Sequence, residues 1–267
     1  MAKKADSDAE LEELRRHVVG DMTTSTPEVA DQHVRSKAPY VNPVFFNVTK
    51  TWAPATVMIW TSWHRRCEKE IVRCVREDPL IKTVLTAMEK KGCPVDLLRH
   101  VVCENCHYPG ILTRDYGFFD REINQIYLCA NQVQNKQIRH VFLRELIVAY
   151  DHCRAKIDVT SVTQEACTEV RAANLSGECT SLRKMWKSYP LTTLGKINGM
   201  HKECVRKRAV DALQKSFSGK PRRELRAAVD QVFERCYNDL DPLGRRPRRG
   251  SAADAANAYT DSQFMNH

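Results

Sequence analysis

Long hydrophobic runs are absent from this sequence of 267 residues. A helix that crosses a bilayer needs about 20 consecutive, mainly apolar residues. The best apolar run, from Ala55 to Trp60, is far shorter than that. We therefore expect no transmembrane helix.

A secretory signal is also missing. The chain starts with lysines, and no apolar segment follows them. The early acidic residues, Asp6 and Asp8, make a poor mitochondrial presequence, because such presequences are depleted of acids. We expect neither kind of leader.

Positive charge is in excess, with 42 Lys and Arg against 33 Asp and Glu and a net charge of +9. Basic proteins tend to meet nucleic acid, acidic lipid or acidic protein, although a solvated surface explains the excess equally well. No interleaving of aromatic and basic residues typical of an RNA-binding module is visible. The candidates for contact with phosphates are Arg206, Lys207, Arg208, Arg245, Arg246, Arg248 and Arg249.

Cysteine is abundant, at 11 residues spread from Cys67 to Cys236. Because the number is odd, at least one thiol is free or paired with another chain. Even spreading favours a domain held by disulfides in an oxidising compartment. The alternative is a reduced protein whose thiols are buried as small apolar groups.

The residue patterns divide the chain into an arm at 1–64, extended or partly helical, a domain at 65–240, and a basic then polar tail at 241–267. Short β-type runs within 98–133 predict a small antiparallel sheet. Together with the helices, this sheet predicts an α+β fold. Helical periodicity occurs at 65–92 with a break at Pro79, and at 137–156, 164–175, 199–217 and 222–237.

The helix predicted at 137–156 is apolar on nearly every side, which is typical of a buried helix. In the zinc-peptidase motif HExxH, two histidines at i and i+4 bind zinc and the glutamate is the general base. Here the glutamate is Glu145, while Arg144 and Val148 occupy the histidine positions. Because a buried carboxylate without a partner is costly, we expect Glu145 to be paired.

Blocks around this helix resemble the mitochondrial inner-membrane metallopeptidases that mature ATP-synthase subunit 6, the Ku-binding protein family. The resemblance covers roughly residues 65–250. The blocks that carry it lie at 85–95, 103–106, 117–120, 126–129, 145–147, 149–155, 166–179, 204–206 and 228–239.

The resemblance implies a zincin-like metallopeptidase domain with a small antiparallel sheet and a buried central helix. It implies a protein on the intermembrane-space side of the inner membrane, held there peripherally, with the matrix as the alternative. Active members cleave a precursor with zinc and, independently of zinc, help to assemble the membrane part of ATP synthase. It also implies oxidised cysteines, the disulfide candidates being Cys93, Cys103, Cys106, Cys129, Cys153, Cys167, Cys179, Cys204 and Cys236.

The site residues of this chain are then interpreted as vestigial, and no cofactor or metal is predicted. Glu145 is the former general base, now a structural carboxylate. Glu169 lies 21 positions after Val148 and is the candidate for the third metal ligand, with Asp151 as its competitor. Arg144 either fills the emptied metal site and neutralises one of these carboxylates, or points elsewhere.

The string from Cys103 to His107 reads CxxCH, which attaches haem in some cytochromes. A zinc knuckle is a second alternative, with Cys93, Cys129 or His100 completing the ligands. We favour disulfides over both.

Three functions remain open. The first is an inactive homologue that serves as an assembly factor, chaperone or scaffold in a mitochondrial protein complex, with ATP-synthase membrane subunits as candidate partners. The second is an active zinc metalloendopeptidase with non-standard ligands. The third is a structural or assembly protein of a mitochondrial ribonucleoprotein such as the mitoribosome, with RNA contact through the basic tail.

Overall fold

The computed structural model describes residues 54–106, 116–180 and 197–247. The chain forms two units, Met1–Ala53 and Pro54–His267, and every element described below belongs to the second. The predicted arm up to residue 53 and the tail from residue 248 lie outside the described residues.

Two helices begin the described part, α1 at Pro54–Glu77 and α2 at Pro79–Lys90. Asp78 separates them and caps α2, because its side chain accepts hydrogen bonds from the backbone of Leu80 and Ile81. Pro79 then occupies the first turn of α2, where its missing N–H costs nothing. Since α1 begins at Pro54, it crosses the boundary predicted at residue 64.

A short helix, α3 at Leu97–His100, leads into a sheet of three strands: β1 at Val101–Glu104, β2 at Gly117–Asp120 and β3 at Gln125–Cys129. The order is β1-β3-β2. β2 and β3 pair in the expected antiparallel direction, whereas β1 pairs with β3 in parallel. The α+β class is confirmed, but the sheet is mixed rather than antiparallel, because β1 runs in the same direction as β3.

Helix α4, at Asn135–Arg154, is the buried central helix that the pattern predicted. One hydrophobic cluster surrounds it, with contributions from α1, α2 and the sheet, and includes Phe142, Leu146 and Val148. Because this helix is enclosed, each of its polar side chains must find a partner within the protein.

The second half contains α5 at Val162–Leu175, a short 3-10 helix at Glu178–Thr180, α6 at Ile197–Ser216 and α7 at Arg222–Asn238. A second hydrophobic cluster joins α5, α6 and α7. Ala172 and Leu175 of α5 belong to the first cluster, so α5 connects the two. None of the helices formed by the described residues has both the length and the apolar character of a membrane span.

Ten of the 11 cysteines are paired, and Cys74 is free and buried. All nine candidates are included, together with Cys67, which the sequence analysis did not select. Cys103 and Cys106 belong to different disulfides, so neither thiol is available for haem attachment or a zinc knuckle. The pairs are Cys67–Cys103, Cys93–Cys153, Cys106–Cys129, Cys167–Cys236 and Cys179–Cys204.

Candidate functional site

The candidate site is centred on the Arg144 side chain of α4, which is 15% exposed. One of its terminal nitrogens donates to Glu178 Oε1 at 2.7 Å, and the other donates to Glu169. Its Nε lies 3.6 Å from Glu145 Oε1. The expected contact between Arg144 and a neighbouring carboxylate is therefore present, and one guanidinium is shared by three carboxylates.

The carboxylates come from three elements: Glu145 from α4, Glu169 from α5 and Glu178 from the 3-10 helix. Glu178 reaches the site because α5 stops at Leu175 and the chain reverses at Gly177. Gly177 has φ +79°, in the left-handed region that favours glycine. The Cys179–Cys204 disulfide then ties this turn to α6.

Helix α6 adds positive charge at the outer side of the site. Arg208 Nε lies 3.5 Å from Glu178 Oε2. Lys215 acts on Glu145 through its charge. Neither Glu178 nor Lys215 was singled out from the sequence, and Arg208 was named there only as a candidate for contact with phosphates. Glu178 lies 34 residues from Arg144, and only its place in the family-like block at 166–179 marked it.

Burial governs the protonation of Glu145. Loss of hydration raises its pKa from the ordinary 4.5 to about 7, against the opposing charge of Arg144 and with a further rise from Glu169. Burial also disfavours the charge on Arg144, but the surrounding carboxylates outweigh it and raise the pKa of the guanidinium. Arg144 is therefore a permanent cation, while Glu145 exchanges a proton near neutral pH.

The residues present do not fit a zinc ion held in the zincin manner. Val148 is 5% exposed, belongs to the hydrophobic cluster around α4 and has no lone pair to offer. The Arg144 guanidinium has only donors, so it repels a cation instead of binding one. Within the described part of the chain, no group of three or more His, Cys, Asp and Glu is arranged to hold a metal ion.

The two candidates for a third ligand lie in different surroundings. Glu169 contacts Arg144 and so shares the site with Glu145. Asp151 is instead bound by Arg171 at 2.8 Å and by Arg154 at 2.9 Å. Both arginines also contact Asp239, which follows α7. Through these arginines, Asp151 helps to hold the end of α7 against α4. Glu169 thus lies at the site and Asp151 does not, while the role of Glu169 as a vestigial ligand stays a prediction.

The basic candidates are partly engaged within the chain. Arg206 pairs with Asp230 at 3.0 Å and lies 3.7 Å over the Phe233 ring. Arg246 donates to the Tyr237 backbone and lies over its ring. Arg208 pairs with Glu178, as described above. Lys207 is exposed on α6, whereas Arg248 and Arg249 lie outside the described residues. Contact with RNA stays a prediction.

Comparison with known proteins identifies the framework. Residues 65–244 match the Peptidase M76 family. A human protein named mitochondrial inner membrane protease ATP23 homolog is 36% identical over 205 residues, or 76% of this chain and 77% of the relative. The protein of that name from Xenopus laevis is 38% identical over 204 residues, or 76% of this chain and 81% of the relative.

A fungal relative, the mitochondrial inner membrane protease ATP23 of Candida albicans, is 31% identical over 153 residues. These cover 57% of this chain and 60% of the relative. No solved structure gives a significant match. The similarity therefore rests on sequence relatives that carry the name of a protease.

Proposed function

The chain belongs to the Peptidase M76 family, and on this premise we propose that it is a member without peptidase activity. It acts by binding, as an assembly factor or scaffold in mitochondria. The predicted resemblance to the inner-membrane metallopeptidases is confirmed by the family match and by the relatives. The loss of activity is the new element of the proposal.

The observation that carries the proposal is the pairing of Arg144 with Glu169 and Glu178. Hydrolysis by a zincin needs a metal ion that lowers the pKa of a bound water and a glutamate that takes its proton. Here the ligand positions hold a guanidinium and an isopropyl group. Glu145 faces the fixed charge of Arg144, so its role is that of an ion-pair partner.

The rest of the fold supports a role in binding. The five disulfides and the two hydrophobic clusters hold the elements in place independently of a metal. A rigid framework lowers the conformational entropy that is lost when a partner binds. A domain of this family that has lost its catalytic ion therefore keeps a rigid surface that can bind a client protein.

The relatives are named as mitochondrial inner membrane proteases, which supports a mitochondrial location for this chain. The five disulfides favour the intermembrane-space side over the reducing matrix. We propose peripheral contact with the inner membrane and a protein complex as partner, with ATP-synthase membrane subunits as candidate clients.

Complementation with a Glu145→Gln variant tests the proposal. Cells that lack the gene receive the wild-type chain, the variant, or a Glu89→Gln control on the exposed face of α2. Assembled ATP synthase is then quantified on native gels. We expect all three chains to restore assembly equally, because no proton transfer by Glu145 is needed.

A failure of Glu145→Gln alone, in a protein at least as stable as the wild type, would show that the glutamate is catalytic. Affinity purification from the same cells identifies the partner. Recovery of ribosomal RNA that disappears at high salt, instead of inner-membrane proteins, would replace the assembly role with the ribonucleoprotein alternative.

A further inference from the structure

Three polar side chains meet at a junction outside the candidate site, where the sheet, α4 and α5 come together. Arg121 comes from the turn between β2 and β3, His152 from the last turn of α4, and Glu165 from the first turn of α5. The Arg121 guanidinium donates to His152 Nε2 at 3.2 Å and to Glu165 Oε2. The junction therefore ties the β2–β3 turn to both helices.

One oxygen of this junction lacks a hydrogen bond. The Glu165 side chain is only 1% exposed, so water does not compensate for a missing partner. Within the described part of the chain, Glu165 Oε1 accepts no hydrogen bond, and His152 Nε2 lies 3.8 Å from it. A buried acceptor without a partner costs free energy, and it costs more when the group is charged. An ionised Glu165 is thus poorly satisfied here.

The imidazole beside Glu165 is neutral. Burial and the charge of Arg121 lower the pKa of His152 to about 4. Because Arg121 donates to Nε2, that nitrogen carries a lone pair and the ring proton lies on Nδ1. The contact between Glu165 Oε1 and His152 Nε2 is therefore not an ion pair. It places two acceptors face to face, and a proton between them would turn the contact into a hydrogen bond.

We propose that Glu165 carries this proton, and that its Oε1–H donates to His152 Nε2 and closes the β2–β3 turn onto α4 and α5. Arg121 keeps its bond to Glu165 Oε2 and turns Nε towards solvent, since its side chain is 30% exposed. Release of the proton to solvent leaves a buried carboxylate with one unsatisfied oxygen. Water then enters the junction and the turn loosens, so the junction is a latch that a proton closes.

The surroundings of Glu165 support this protonation. Burial raises the pKa of Glu165 from 4.5 to about 7, against the charge of Arg121 and with a further rise from Glu169. The charged or titratable groups that face it are Arg121, His152 and Glu169, from the turn, α4 and α5. Helices α6 and α7 pack on α5 through the second hydrophobic cluster and contribute no charge that acts on Glu165.

The raised pKa fixes the direction of the response. A carboxyl that binds its proton more tightly in the closed state than in water stabilises that state below its ordinary pKa of 4.5. This contribution is lost as pH rises through about 7. The latch is therefore closed in acid and opens above neutral pH.

Amide hydrogen exchange of β2, β3 and their turn, measured at pH 6 and pH 8 and corrected for intrinsic rates, tests the latch. With a pKa of about 7 when closed and 4.5 when open, protection should fall about tenfold over this range. Glu165→Gln imitates the protonated acid, because its amide N–H can donate to His152. Protection in this variant should be the same at both pH values.

Glu122→Gln is the matched control, because Glu122 is an exposed carboxylate in the same turn. It should keep the wild-type response. The response should also persist in Glu145→Gln, which removes the other carboxyl whose pKa burial raises to about 7.

If Glu165→Gln does not fold, NMR of the Glu165 carboxyl carbon follows the titration in the wild type. A midpoint near 7 supports the latch, whereas a midpoint near the ordinary 4.5 overturns it. Wild-type protection that is equal at both pH values, or a fall that persists in Glu165→Gln, overturns it as well. None of these measurements depends on zinc or on a client, so the latch and the proposed function stand or fall separately.

Discussion

At the scale of single residues, Arg144 fixes the character of the site. A guanidinium keeps its proton under all physiological conditions and offers no lone pair to a metal. It also spans two carboxylates at once, as it does between Glu169 and Glu178. A lysine carries its three donors on one nitrogen, so it could not present the planar fork that reaches these two carboxylates from separate nitrogens.

Replacement of Arg144 by leucine should therefore destabilise the protein strongly. Breaking a buried ion pair from one side costs about 3–5 kcal/mol. Arg223→Leu, at an exposed position of α7, should change the free energy of unfolding by less than about 0.5 kcal/mol. Urea denaturation of both variants measures the difference, and equal midpoints for Arg144→Leu and the parent protein would refute the pairing.

Glu145 gives the site a dependence on pH. Its pKa is raised by burial to about 7 in the folded protein, from an ordinary 4.5. A carboxyl with a raised pKa binds its proton more tightly in the folded state than in the unfolded state. The contribution of this protonation to the free energy of unfolding is therefore full below pH 4.5 and is lost as pH rises through about 7. The groups that face it are Arg144, Glu169, Glu178 and Lys215.

As pH rises from 5 to 8, the Glu145→Gln variant should become more stable relative to the wild type, because only the wild type loses the proton on residue 145. The relative gain should be on the order of 1–3 kcal/mol, since one pKa unit corresponds to about 1.4 kcal/mol. Denaturant midpoints of the two proteins across this range provide the measurement. A constant difference would mean that Glu145 has the same pKa in the folded and unfolded states.

At the scale of elements, the turn after α5 decides whether Glu178 reaches Arg144. Gly177 adopts φ +79°, where a side chain is strained even though the nearest atom to an added Cβ is 3.5 Å away. Gly177→Ala should cost about 1–2 kcal/mol through the backbone alone. Gly219→Ala is the control, because Gly219 has no positive φ and an added Cβ would meet nothing within 4 Å. Thermal melting that is equal for both variants would show that this turn is not strained.

The elements also show how far the sequence could predict the site. The apolar periodicity of α4 predicted a buried helix, and the buried Glu145 predicted a charged partner. The contact between Arg144 and Glu178 was not predicted, because no local pattern reveals that a turn 34 residues away folds back onto Arg144. The parallel pairing of β1 with β3 was not predicted either. A hydrophobic pattern that repeats every two residues indicates a strand but not the strand that pairs with it.

At the scale of the whole molecule, the disulfides extend through both hydrophobic clusters. Cys93–Cys153 joins the turn after α2 to the end of α4, and Cys167–Cys236 joins α5 to α7. The even spacing of the cysteines predicted disulfides, but it could not specify which cysteines pair, because the pairs depend on which residues the fold brings together. Cys67 was passed over since it lies in none of the family-like blocks, yet it pairs with Cys103.

Thiol counting on denatured, unreduced protein should detect one reactive thiol, that of Cys74. In the native protein this thiol should react slowly, because it is buried and burial raises its pKa to about 11. After reduction the number should rise to 11. Ten or eleven free thiols before reduction would indicate a reducing compartment such as the matrix.

The most direct test of the central claim is the zinc content of the protein purified from mitochondria without chelators, measured by mass spectrometry of the metal. An active M76 member purified in parallel serves as the control and should carry about one zinc ion per chain. We predict well under one zinc per chain for this protein, because Arg144 and Val148 occupy the ligand positions. Stoichiometric zinc in the wild-type protein, together with peptide cleavage that is lost in Glu145→Gln, would contradict the account.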